Sequence, residues 1–245
     1  MTDDVGGLHR GPTATGDEWV AALAARLPGP AAKQRALDFA GRLAASYREQ
    51  TSAAQAATDL VVLEGLGADP DVHRFGLAPA DPTDPASGFR LRRYGLRAQE
   101  LSSYLPLLES FGLVVVEAVP HLIRATPEKP AAHIDDIGLH FAPGIRPERF
   151  ELQGDGARLL AAMEAVIGGR ADLDSLNRLV LGAGLDWHEA ALLRAYRRYR
   201  HQTGVPLDDA ALDEPLAAWP EVTRRLIAYA RARFTPAAPS DTGPA

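Results

Sequence analysis

The strongest candidates for metal chemistry are two histidines and two aspartates in the segment HIDDIGLH. His133 and His140 are seven residues apart, and Asp135 and Asp136 lie between them. Histidine and carboxylate side chains bind zinc when three or four of them converge on one point. On a continuous strand, however, residues an odd number apart point to opposite faces of the sheet. The segment therefore predicts a strand with polar side chains rather than a shared metal site.

A second group of chemically capable residues is the arginine cluster Arg194, Arg197 and Arg198. On a helix predicted from Trp187 to His201, these arginines fall on the side opposite Tyr196 and Tyr199. Because guanidinium groups pair well with carboxylates, the cluster is a candidate for binding an acidic ligand or a partner's carboxylates. The alternative is an ordinary solvated helix face. The spacing of the two tyrosines predicts that they are buried core residues.

Motifs for nucleotide or nucleophile chemistry are missing from the sequence. The GLG at Gly65–Gly67 follows a helical pattern and lacks the third glycine of a dinucleotide fingerprint, so it predicts a helix end. There is no P-loop and no G-x-S-x-G motif. The absence of cysteine excludes disulfides, thiolate metal sites and cysteine nucleophiles. The residues themselves thus indicate no reaction, and no catalytic, cofactor-binding or metal-binding residue is predicted.

Composition narrows the class of protein further. The 245 residues carry a net charge of −6 and are 46% hydrophobic, which is ordinary for a globular protein. A negative net charge argues against nucleic acid or a membrane surface as the partner. No apolar run is long enough to span a membrane, and the acidic N-terminus lacks the apolar core of a signal peptide. A cytoplasmic location is the default expectation.

The elements that must position these residues indicate an α+β fold that is predominantly helical. Leu113–Val119 contains four valines in seven residues and is the strongest strand signal. With a strand from Phe89, a helix near residues 98–110 and the HIDDIGLH strand, it predicts a small βαββ sheet unit. Pro106 disfavours the middle of that helix, so the helix either kinks there or begins nearer Ser103. N-terminal helices and a C-terminal helical bundle flank the sheet unit. The predicted segments are a disordered lead-in (1–16), N-terminal helices (17–67), a linker rich in proline and aspartate (68–88), the sheet unit (89–168), a helical motif (169–236) and a disordered tail (237–245).

Three stretches in one order resemble the large NAD-specific glutamate dehydrogenases of bacteria. The first is FAGRLAASYREQTSAAQAATDLVVLEGL, from Phe39 to Leu66. The second is LRRYG…LSSYLPLLESFGLVVVEAVP…IDDIGL. The third and most specific is SLNRLVLGAGLDWHEAALLRAYRRYRHQTG, from Ser175 to Gly204, followed by WPEVTRRLIAYARARFTP from Trp219 to Pro236. From Phe39 to Pro236 they span about four fifths of the chain.

The resemblance implies an ACT-like regulatory module followed by a helical motif, both preceding the catalytic domain of that family. No residue of this chain matches the family's catalytic lysine, its catalytic aspartate or its NAD-binding loop. We therefore expect no cofactor on this chain, although NAD serves the full-length family in converting L-glutamate to 2-oxoglutarate and ammonium. In ACT-like modules a ligand lies near the turn from the first strand to the helix. That turn corresponds here to Tyr94, Gly95 and Arg97.

The leading hypothesis is accordingly a non-catalytic, glutamate-dehydrogenase-like protein. Its binding partner would be a dehydrogenase subunit, another copy of itself, or an amino acid or small metabolite. The first alternative is a subunit of a split, active NAD-dependent glutamate dehydrogenase. The second is an unrelated small-molecule-sensing or protein-interaction module.

Overall fold

The computed structural model describes residues 16–81, 84–145, 150–204 and 208–234. It confirms the α+β class: one four-stranded antiparallel sheet accompanies ten α-helices in these residues. The predicted lead-in and tail lie outside the described residues, except that Gly16 begins the first helix. No helix in the described part of the chain is long and apolar enough to cross a membrane.

The strands are β1 (His73–Asp81), β2 (Asp84–Gly95), β3 (Leu113–Ile123) and β4 (Ala132–Phe141), arranged in the order β1-β2-β4-β3. The helices are α1 (Gly16–Ala24), α2 (Ala32–Arg42), α3 (Ala45–Gln50), α4 (Ala53–Glu64), α5 (Leu101–Ser110), α6 (Gly154–Ile167), α7 (Leu179–Gly182), α8 (Trp187–Gln202), α9 (Asp209–Ala218) and α10 (Pro220–Phe234). A 3₁₀ turn spans Ser175–Arg178.

The prediction of a linker over residues 68–88 is wrong for most of its length. β1 and the start of β2 lie in this segment, so the sheet is built from ββαββ rather than βαββ. Pro79 lies in β1, which is an edge strand of the sheet. An edge strand tolerates proline because one side of its backbone has no partner to bond. The prolines and aspartates of residues 68–88 are typical of loops, so this composition predicted a loop where a strand forms.

Helix boundaries follow local signals where caps are present. Asp186 and Glu189 form the reciprocal hydrogen bonds of a capping box at the start of α8, where the helix predicted from Trp187 also begins. α5 begins at Leu101 and runs through Pro106, an exposed residue. The helix α9 was not predicted; Asp208 caps it by accepting a hydrogen bond from the Ala211 amide at 2.7 Å.

Contacts divide the chain into two compact units. Unit 1 comprises Met1–Gly76, Leu91–Gln99 and Ala118–Ile137, and unit 2 comprises Leu77–Arg90, Glu100–Glu117 and Gly138–Ala245. In unit 1 the helices α1 to α4 pack around a core that includes Trp19, Leu23, Phe39 and Leu60. The indole of Trp19 fixes this core further by donating to the Thr51 carbonyl at 3.0 Å.

Unit 2 has a separate helical core. Leu176, Leu179, Leu185, Leu193 and Ile227 are buried together. They come from the 3₁₀ turn, α7, the loop that follows it, α8 and α10. α8 and α10 thus each bury one apolar stripe in this core, and their remaining faces are available for other contacts.

Candidate functional site

The predicted ligand turn in unit 1 contains one buried and one exposed candidate side chain. Tyr94 is buried and its hydroxyl donates to Asp59 Oδ1 at 2.8 Å. Arg97 is exposed and forms an ion pair with exposed Asp71 at 3.0 Å. Gly95 separates them, and a Cβ atom there would lie 2.7 Å from Arg93 Nη1. Of the three candidates, Arg97 alone presents a side chain to solvent at this turn.

Asp59 on α4 is the centre of a buried polar network that the sequence analysis missed. This fully buried carboxylate accepts hydrogen bonds from Tyr47, Arg92, Tyr94 and Gln55. Burial first, and then the charge of Asp59, raise the pKa values of both tyrosines. The hydroxyls therefore stay protonated and act as donors. A lone carboxylate in the apolar run AATDLVV, three residues after the inward-facing Ala56, was the available signal.

Arg92 links this network to the sheet. Its guanidinium donates to Asp59 and, at 2.6 Å, to Asp136 on β4. Burial by itself would lower the pKa of Arg92, but the two carboxylates more than offset it, so the pKa is raised. In the run FRLR from Phe89, apolar residues alternate with arginines, a pattern that by itself predicts one solvated strand face. Arg92 is buried instead, because two buried carboxylates neutralise it.

The opposite face of β2 carries a second buried arginine. Arg93 donates to Asp135 at 2.6 Å, and its Nη1 lies 3.2 Å from His73 Nδ1. Burial first, and then the positive charge of Arg93, lower the pKa of His73. Asp135 and Asp136 thus pair with different arginines, in agreement with their predicted divergence. Among the described residues no group of three or more histidine and carboxylate side chains is arranged to hold a metal ion.

In unit 2, the three arginines of α8 occupy very different environments. Arg194 is 2% exposed, whereas the Arg198 side chain is 66% exposed and pairs with Asp172 at 2.6 Å. Arg194 and Arg197 both donate to Asp174, which precedes the 3₁₀ turn. Burial would raise the pKa of Asp174, but these two arginines more than compensate and lower it. The cluster is thus largely a closed internal network.

The network extends from α8 to α9 and to the 3₁₀ turn. Arg197 donates to Asp213 on α9 at 2.6 Å, and Ser175 donates to the same carboxylate oxygen. Arg194 donates to Asn177 Oδ1 at 2.6 Å. These bonds connect α8, α9 and the 3₁₀ turn of unit 2. The aspartates among the acceptors neutralise the charge of Arg194 and Arg197. Arg198 is the one predicted contact of this cluster whose side chain faces solvent.

The face of α8 opposite the network is aromatic and exposed. The prediction that Tyr196 and Tyr199 are core residues is wrong, since they are 48% and 65% exposed. Trp219, which precedes α10, is exposed as well. The buried ion pairs took the inward position, so the tyrosines were left outside.

Beside this aromatic face lies an open groove of about 390 Å³ between α8, α9 and α10. Its wall is mostly apolar and consists of Leu192, Leu193, Tyr196, Leu212, Leu216, Leu226, Ile227, Tyr229 and Ala230; Arg197, Arg200 and Asp213 add the polar part. Sites that bind ligands or partners are commonly concave and mostly apolar, with a few polar groups, as this groove is. We take this groove as the candidate functional site.

Two regions of the chain match families of glutamate dehydrogenase modules. Residues 78–154 match the family "Glutamate dehydrogenase, ACT3 domain", and residues 171–236 match "Glutamate dehydrogenase, helical motif 3". Together the matches cover more than half of the chain, so it belongs to the glutamate dehydrogenase family. The ACT3 match begins inside the segment predicted as a linker, as the strands β1 and β2 do.

The relatives specify the branch of the family. The chain is 33% identical to the NAD-specific glutamate dehydrogenase of Halomonas elongata over 81% of this chain and 12% of that protein. It is 28% identical to the NAD-specific glutamate dehydrogenase of Mycobacterium tuberculosis over 87% of this chain and 13% of that protein. The resemblance to the NAD-specific enzymes is confirmed. The chain spans about an eighth of the length of these two relatives, and the catalytic part is not among the matched regions.

Proposed function

We propose that this chain is a non-catalytic, cytoplasmic part of an NAD-specific glutamate dehydrogenase and acts by binding the polypeptide that carries the catalytic domain. One observation carries the proposal: in unit 2 the inward arginines Arg194 and Arg197 are neutralised by aspartates, while an apolar groove and its aromatic rim face solvent. Large exposed apolar surfaces on a folded protein mark interaction sites. The family match supports a dehydrogenase polypeptide as the partner.

The test is to purify the tagged chain alone and from its native cell, and to measure glutamate-dependent NADH formation in both samples. We expect no turnover by the chain alone. The native sample should contain a dehydrogenase polypeptide in stoichiometric amount, and turnover with it. Turnover by the chain alone would refute the non-catalytic role. A native sample without any dehydrogenase polypeptide would refute the association.

A second candidate function is the binding of an amino acid at the β2–α5 turn, and the exposed Arg97 favours it. Its ion pair with Asp71 is open to solvent, and such pairs are worth little, so a ligand carboxylate can replace Asp71 at small cost. A genuine ligand at one hundred times its dissociation constant stabilises the protein by about 2.7 kcal/mol. The measurement is the melting temperature with glutamate or leucine, for the native chain and for Arg97→Ala. A ligand that raises both melting temperatures equally would refute binding at this turn.

A further inference from the structure

The groove of unit 2 has a shape and a charge pattern that specify its occupant more closely than "a dehydrogenase polypeptide". The outer face of α10 carries Val222, Leu226 and Tyr229, which recur at intervals of four and three residues and are all exposed. A separate stripe of α10, which includes Ile227, is buried in the core of unit 2. The exposed stripe is therefore additional to the one that the fold needs for its own packing.

Intervals of three and four residues are those of a helix-packing face. Two helices pack by placing the side chains of one between those of the other, and a stripe with this spacing accepts a second helix along its length. The groove volume of about 390 Å³ lies at the lower end of ligand cavities. Val222, Trp219 and Phe234 do not line the groove, and they are exposed as well. A small molecule in the groove would leave these side chains in water, whereas a helix along α10 would extend past the groove and cover Val222.

The charges at the groove favour an acidic occupant. Arg197 and Asp213, which both line the groove, form an ion pair with each other. Arg200 also lines it, and no carboxylate within the described residues pairs with its side chain. On α10, Arg233 follows Tyr229 by four residues and so continues the exposed stripe. Within the part of the chain that the structure describes, no carboxylate pairs with Arg233 either, so an occupant that crosses this surface meets positive charge at both arginines.

We propose that the groove binds one amphipathic helix of the dehydrogenase polypeptide, with an apolar stripe that packs on Leu226 and Tyr229 and acidic residues that face Arg200 and Arg233. The inference rests on the proposed function for the identity of the partner. About seven eighths of the relatives' sequence lies outside the region shared with this chain, and this remainder can supply such a helix. Helix-in-groove recognition of this kind uses apolar anchors one turn apart.

The test uses two designed 18-residue helical peptides with the same leucine stripe, one flanked by glutamates and the other by lysines. Binding to the full chain is measured by isothermal titration calorimetry at two salt concentrations. We expect the acidic peptide to bind at least about tenfold more tightly at low salt, and to lose most of this advantage at high salt. The double variant Arg200→Glu, Arg233→Glu should reverse the preference. Equal binding of both peptides would overturn the charge assignment.

A matched pair of variants locates the site. Leu226 and Leu37 are both 47% exposed leucines on helices, α10 and α2 respectively. Leu226→Asp should abolish peptide binding and remove the dehydrogenase polypeptide from the native purification, whereas Leu37→Asp should change neither. Tyr229→Ser provides a second groove variant should Leu226→Asp not fold. A native sample in which both groove variants retain the dehydrogenase would refute the groove as the docking site and leave the proposed association standing. Wild-type chain that binds the acidic peptide but no dehydrogenase would refute the identity of the partner.

Discussion

Substitution of Asp59 by asparagine tests whether the buried network of unit 1 holds α4 on the sheet. Asparagine keeps the shape of the side chain but removes the charge that faces Arg92, and it offers one acceptor oxygen instead of two. Asp59 is fully buried, so no water replaces the lost bonds. Removing one partner of a buried ion pair costs about 3–5 kcal/mol. Asp136 still neutralises Arg92 in part, at 2.6 Å, so we expect the lower end, about 3 kcal/mol.

Urea unfolding monitored by tryptophan fluorescence measures this change. Trp19 lies in the core of unit 1, whereas Trp187 and Trp219 lie in unit 2. A background of Trp187→Phe and Trp219→Phe therefore reports on unit 1 through a single fluorophore. With a denaturant slope of about 2 kcal/mol per molar urea, a loss of about 3 kcal/mol lowers the midpoint by about 1.5 M.

Two comparisons make the result interpretable. Tyr94→Phe removes one donor and leaves three, so it should cost about 1 kcal/mol. Asp38→Asn changes an exposed aspartate of α2 in the same unit and should alter stability by less than about 0.5 kcal/mol. If Asp59→Asn shifted the midpoint no more than Asp38→Asn does, the network would not stabilise the unit and the reasoning would be wrong.

Three further predictions concern burial, protonation and backbone geometry. Arg194→Ala should destabilise unit 2 by about 3–5 kcal/mol in urea unfolding, because it leaves buried acceptors unpaired, whereas Arg198→Ala should cost less than about 1 kcal/mol. The pKa of His73 is lowered in the folded chain, so the unfolded chain binds the proton first; the urea midpoint of unit 1 should fall as the pH drops below about 6.5, and His73→Gln should reduce that fall. Gly88 has a φ of 93°, and a Cβ there would lie 2.5 Å from a carbonyl oxygen of β4, so Gly88→Ala should lower the melting temperature by more than several degrees. Gly41→Ala, in a helix with open space around it, should raise it.

Each of these outcomes has a clear opposite. Equal effects of Arg194→Ala and Arg198→Ala would mean that burial does not decide the strength of the ion pairs. A urea midpoint of unit 1 that is the same at pH 7.5 and pH 5.5 would remove His73 as a titrating group of the folded state. If Gly88→Ala melted like the native chain, the left-handed backbone at that position would not require glycine.

Much of the fold could be predicted from local sequence. The valine-rich run from Leu113 predicted β3, and the helix predicted from Trp187 matches the start of α8, because both patterns act within a few residues. β1 could not be predicted, since its proline, Pro79, is tolerated only because the strand lies at the edge of the sheet. The residues of a strand do not by themselves show whether it lies at the edge or in the middle of its sheet.

The candidate site was harder to predict because the inward face of α8 depends on residues far away in the sequence. An amphipathic pattern shows that two faces differ, and burial was assigned to the face with the tyrosines. Arg194 and Arg197 pair with Asp174, which precedes the 3₁₀ turn, and Arg197 also pairs with Asp213 on α9. These carboxylates stabilise the two arginines on the inward face of α8. The sequence does not show that these aspartates converge on α8. The ordinary preference for burying aromatic over charged side chains then assigns the wrong face of α8 to the core.

The inverted polarity of α8 also bears on function. Burying two arginines requires several aligned acceptors and yields little net stability, because the cost of removing charge from water offsets most of the attraction. Leaving tyrosines and leucines in water forgoes a further gain, about 25 cal/mol per Å² of apolar surface that could have been buried. The proposed docking of another polypeptide on these apolar groups would recover that gain. The exposure of these tyrosines and leucines, which the sequence analysis did not predict, is therefore the physical reason to expect a helix in the groove between α8, α9 and α10.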